Sequence, residues 1–66
     1  MTNIQMGQSL TELLHTQRTE WVGKTVEVVP DAYGLTVYCQ EATVYMELDD
    51  EIDGGGEYRV TNINRF

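Results

Sequence analysis

The hydrophobic period of this chain changes once, at Gly23, and that change limits the fold more than any other feature. Upstream of it, Leu10, Leu13, Leu14 and Trp21 fall along one helical stripe, with Gln17 as a polar gap. Ser9 and Glu12 form a capping box ahead of the stripe. The Ser9 hydroxyl can accept from the amide three residues on, while Glu12 can reach back to the Ser9 amide. Gly23 suits the left-handed residue that ends a helix. The pattern predicts a helix over residues 10 to 21, weaker in its second half because Thr16 and Thr19 are poor helix formers.

Downstream the period is two. Residues 24 to 29 read as a strand with Val26 and Val28 on one face. Pro30 and Gly34 bound a turn. Residues 35 to 39 form a second strand that places Leu35, Val37 and Cys39 together. Gln40 and Glu41 close a hairpin into residues 42 to 48, where Ala42, Val44, Met46 and Leu48 share a face. Residues 49 to 56 are the longest loop, and residues 57 to 63 a fourth strand.

The expected fold class is α+β, with one N-terminal helix packed on a four-stranded antiparallel β-meander. The alternative is a strongly bent sheet that closes into a small SH3-like or Sm-like barrel with an N-terminal helix. The helix, the stretch Gly23-Lys24-Thr25-Val26-Glu27-Val28 and the compact β segment resemble Sm-like chains. The glycine of that family's second strand and its Asp…Met-Asn pattern are absent, so no functional residue carries over. Residues 1 to 8 lack periodicity and are expected to form a flexible arm, leaving residues 9 to 66 as a single domain.

A chain of 66 residues buries only about 60% of the surface that its unfolded form exposes. Small scaffolds answer this with disulfides, metals or oligomerisation. Cys39 is the only cysteine, which excludes an intrachain disulfide and a thiolate zinc cluster. A homodimer or a bound partner is therefore the expected further support. An unpaired cysteine fits a reducing compartment. No apolar run approaches the ~20 residues of a membrane span, and the opening residues lack the basic and apolar regions of a signal peptide. The expected location is cytoplasmic.

The formal net charge is -7, and the four cations, Arg18, Lys24, Arg59 and Arg65, are scattered. That balance argues against direct binding of nucleic acid, which needs clustered Lys and Arg. It steers the chain instead toward basic surfaces. The acid is concentrated in Asp49, Asp50, Glu51, Asp53 and Glu57, with Gly54, Gly55 and Gly56 ahead of Glu57. In an extended segment, residues i and i+2 project to one side about 6.7 Å apart, close to two phosphate steps of roughly 3.4 Å along one DNA strand. Asp49, Glu51 and Asp53 can thus imitate a phosphate row, which Glu47 extends upstream and Glu57 downstream. The plain alternative is a loop charged for solubility.

Asp49, Glu51, Asp53, Gly54 and Glu57 also match part of an EF-hand loop. The position that should supply a bidentate Glu is Val60, however, and strands rather than helices flank the loop. No resident metal or cofactor is expected. His15 and Cys39 stand without a nucleophile motif, so no catalytic residue is expected either. Tyr38 and Tyr45 lie on the faces opposite Val37 and Val44, where they become cross-strand neighbours and candidate apolar anchors.

These features point to a non-enzymatic module that binds the basic surface of another protein. Its contact residues would be Glu47, Asp49, Asp50, Glu51, Asp53, Glu57, Tyr38 and Tyr45. The sharpest form is a phage-type DNA mimic that occupies a partner's nucleic-acid channel. The rival readings are a homo-oligomeric assembly subunit and a calcium-binding module.

Overall fold

A computed structural model describes residues 4 to 50 and 56 to 66. The chain runs α1 (Leu10–Thr16), α2 (Arg18–Trp21), β1 (Glu27–Pro30), β2 (Gly34–Tyr38), β3 (Ala42–Asp49) and β4 (Glu57–Arg65). The strands form one antiparallel sheet in the order β1-β2-β3-β4, with the helix packed on it, so the class is α+β. Among the described residues β1 and β4 do not pair. The sheet is therefore open, and the barrel alternative is not realised.

The helix starts where the cap places it. Ser9 is extended (φ -74°, ψ 158°) and its hydroxyl accepts from the Glu12 amide at 3.1 Å. The expected single helix is instead divided at Gln17, which takes a non-helical φ/ψ of -92° and 0°. The Thr16 hydroxyl donates to the Leu13 carbonyl at 3.2 Å, a local bond that competes with the helical ladder where α1 ends. Gly23 ends the segment with φ 76°, as its sequence position suggests.

The buried line of the helical segment is Leu13 and Gln17, flanked by the partly buried Leu10 and Trp21. Leu14, expected in the stripe, is 51% exposed. The helix rests along a narrow contact with β4, which leaves no second surface to cover Leu14. The same placement explains Val28, which is 49% exposed at the far edge of the sheet. Gln17, by contrast, is fully buried, and its backbone N–H donates to the Leu13 carbonyl at 3.0 Å.

The core is Ile4, Leu13, Val37, Cys39, Ala42, Val44, Met46 and Val60. Ile4 corrects the expectation of a flexible arm for residues 4 to 8, since its side chain is 1% exposed. A turn closed by Gln8 N–H on the Gln5 carbonyl, with Gly7 at φ 79°, brings the segment alongside β4. There Gly7 N–H donates to the Val60 carbonyl (2.8 Å) and Val60 N–H to the Gln8 carbonyl (2.9 Å). The Arg65 guanidinium holds the Ile4 carbonyl at 2.6 Å. The segment thus covers part of the β4 edge, which would otherwise present unpaired amides and carbonyls.

β4 contains a bulge. Tyr45 pairs with Asn62 but Met46 pairs with Val60, so Thr61 is the extra residue. The insertion shifts the pairing by one, which keeps Val60 opposite Met46 in the core and places Arg59 opposite Glu47.

Candidate protein-binding face

One face of the sheet carries the core, and among the described residues no second layer covers the other. On the open face, strand alternation groups Thr36 and Tyr38 of β2, Thr43, Tyr45, Glu47 and Asp49 of β3, and Glu57, Arg59, Asn62 and Asn64 of β4. Tyr38 is opposite Thr43 and Tyr45 opposite Thr36, so the two rings are diagonal rather than directly opposed. Each ring stands beside a threonine. Thr36 and Thr43 are only 6% exposed on a face without a second layer, whereas Tyr38 is 47% and Tyr45 39% exposed. The tyrosines thus keep two-fifths to a half of their surface in water on this face.

The carboxylates occupy the other end of this face. Glu47 is opposite Arg59, and Asp49 opposite Glu57. Glu47 and Asp50 are exposed, and Asp49 is half-buried. The Arg59 Nε lies 3.7 Å from Asp49 Oδ2, and an Arg59 terminal nitrogen donates to the Gly7 carbonyl at 2.7 Å. Glu57 accepts from the Thr11 hydroxyl at 3.0 Å, which ties the start of β4 to α1. Glu51 and Asp53 lie outside the described residues. Of the expected acidic row, Glu47, Asp49, Asp50 and Glu57 are thus brought to one end of the sheet.

Arg59 is the residue that the sequence reading passed over. It is the cation set within the acidic strip, and its position depends on the bulge. The signal for that bulge was present: Val60 and Ile63 are both apolar and three apart, which breaks a strict period of two.

The other candidates take structural places. His15 is exposed on α1. Cys39 is buried, its thiol donates to the Ala42 carbonyl at 3.0 Å, and burial pushes its pKa up, which suppresses the thiolate. No group of three or more His, Cys, Asp or Glu among the described residues is arranged to hold a metal ion. No helix among the described residues is long and apolar enough to cross a membrane. Neither a protein family, nor a curated protein, nor a solved structure matches this chain.

Proposed function

We propose that this chain is a small non-enzymatic binding module that docks its open sheet face on a basic surface of another protein in the cytoplasm. The observation that carries this reading is the sharing of one uncovered face by half-exposed tyrosines and a strip of carboxylates. Aromatic side chains supply contact area at an interface centre, and flanking charge sets steering and register. In its sharpest form the module is an inhibitor that imitates the phosphates of a nucleic acid. Arg59 bears on that form directly, because it offsets part of the negative charge of the strip.

The test is affinity capture from host lysate at low and high salt, followed by competition on the protein captured. Binding should weaken as salt rises. Nucleic acid should displace the module. Glu47→Gln with Asp50→Asn should abolish capture without loss of stability. If these variants bind like wild type, or if nucleic acid and the module occupy the partner together, the mimic form is wrong and Tyr38 and Tyr45 become the leading contact.

A homodimer is the second reading, favoured by β1. This strand ends the sheet, all four of its residues are exposed, and Val28 and Val29 are 49% and 36% exposed. Sedimentation equilibrium decides it: a dimer mass that Val28→Lys converts to a monomer supports pairing through this edge, and a monomer mass in wild type rejects it.

A further inference from the structure

A hollow of about 530 Å³ opens on the tyrosine side of Glu47, lined by Asp31, Tyr33, Leu35, Tyr45, Met46 and Glu47. No lysine, arginine or histidine is among its lining residues. Arg59 directs its donors to Asp49 and Gly7, so Glu47 makes no ion pair among the described residues. Asp31 is locked in place, because one oxygen accepts from the Tyr33 and Gly34 amides (2.7 and 2.8 Å) and the other from the Thr36 hydroxyl (3.2 Å). The two amide hydrogen bonds lower its pKa and keep the carboxylate charged.

Resting on the docking reading above, we propose that this hollow is a subsite for one cationic side chain, arginine or lysine, of the partner protein. Charge complementarity selects this occupant. The faces of Tyr33 and Tyr45 carry the negative lobe of the ring quadrupole, which attracts guanidinium or ammonium. Asp31 and Glu47 add two full negative charges. The rings of Tyr33 and Tyr45, 79% and 39% exposed, also give apolar contact for the aliphatic stem of a long basic side chain. An acidic or phosphorylated group would meet two carboxylates and no cation.

The probes are Nα-acetyl-arginine amide, Nα-acetyl-lysine amide and, as a neutral isostere of the first, Nα-acetyl-citrulline amide. Each is titrated into the ¹⁵N-labelled protein. The expected result is saturable shifts of amides near residues 31 to 35 and 45 to 47 with at least one cationic probe and none with citrulline. Tyr45→Leu, Glu47→Gln and Tyr33→Ser should each weaken binding by about fivefold or more, whereas Tyr45→Phe should retain it. Tyr33 is 79% exposed, so its variant reports on the subsite without touching the core. Equal response to citrulline, saturation at Asp49 and Asp50 instead, or the absence of saturable shifts would overturn the subsite.

Failure of the broader reading shows separately. A captured partner lost with Asp50→Asn but bound normally by Tyr33→Ser and Glu47→Gln rejects the subsite and keeps the docking face. Saturable binding of a cationic probe alongside salt-insensitive capture keeps the subsite and rejects charge-led docking.

Discussion

The Arg59 side chain bridges two acceptors, the Asp49 carboxylate at 3.7 Å and the Gly7 backbone carbonyl at 2.7 Å, and so joins the acidic strip to the N-terminal segment. Both ends of the ion pair are half-exposed, which limits its Coulombic worth to less than about 1 kcal/mol. The hydrogen bond to Gly7 is charge-assisted and adds more. Arg59→Gln should cost about 1 to 2 kcal/mol in urea denaturation. The loss should shrink at high salt, because the variant leaves Glu47, Asp49 and Glu57 to repel one another without a counter-charge. A salt-independent difference would show that the Gly7 bond alone is responsible.

Ile4 is a core residue, although the sequence gives no period around it. Ile4→Ala should cost about 2 to 4 kcal/mol, read as a lower urea midpoint. An unchanged midpoint would mean that the segment does not hold its place in solution.

Gly34 and Gly23 should respond differently to alanine. A Cβ on Gly34 would run into the Met46 carbonyl oxygen and lie 2.9 Å from the Glu47 Cα, both backbone atoms that cannot rotate aside. Gly34→Ala should therefore cost more than about 3 kcal/mol. A Cβ on Gly23 meets nothing within 4 Å, and only its φ of 76° opposes the change, so Gly23→Ala should cost about 1 to 2 kcal/mol. Thermal melts of the two variants make the comparison.

Asp31 predicts a pH dependence. Its native pKa is lowered from 3.8, first by the Tyr33 amide and then by the Gly34 amide. A carboxylate with a depressed native pKa contributes stability that is complete above the unfolded value and is lost as the pH falls through the native one. The β1–β2 turn should thus weaken only in acid, below 3.8. Carboxyl-detected NMR should give a midpoint beneath that value, and a midpoint at or above it would contradict the turn geometry. Asp31→Asn keeps one acceptor oxygen and should remove the acid dependence.

The α-then-β order, the Ser9 N-cap, the hairpin at Gln40 and Glu41, and the inward set Val37, Cys39, Ala42, Val44 and Met46 follow from local period and turn chemistry, whereas Leu48, expected on the same face, is 48% exposed at the end of β3. What the pattern could not supply is tertiary. Whether Leu14 or Gln17 is buried depends on which strand the helix meets, and the docking of Ile4 depends on a strand more than fifty residues away. The candidate site divides in the same way. Alternation placed Glu47, Tyr38 and Tyr45 outward, whereas the neutralising position of Arg59 and the hollow beside Glu47 depend on a one-residue bulge and on cross-strand register.

The clamp of residues 4 to 9 on β4 also fixes an order of events. Gly7 bonds to Val60 and Ile4 to Arg65, contacts that close a loop of nearly the whole chain. Contacts of such high sequence separation carry a loop-closure entropy and slow the search for the native state. The backbone partners of Gly7 and Gln8 and the Arg65 side chain that holds Ile4 all lie on β4, so the segment has nothing to pair with until that strand is in place. Docking of the segment is then a late event that follows the formation of β4 rather than a nucleus on which the sheet is built.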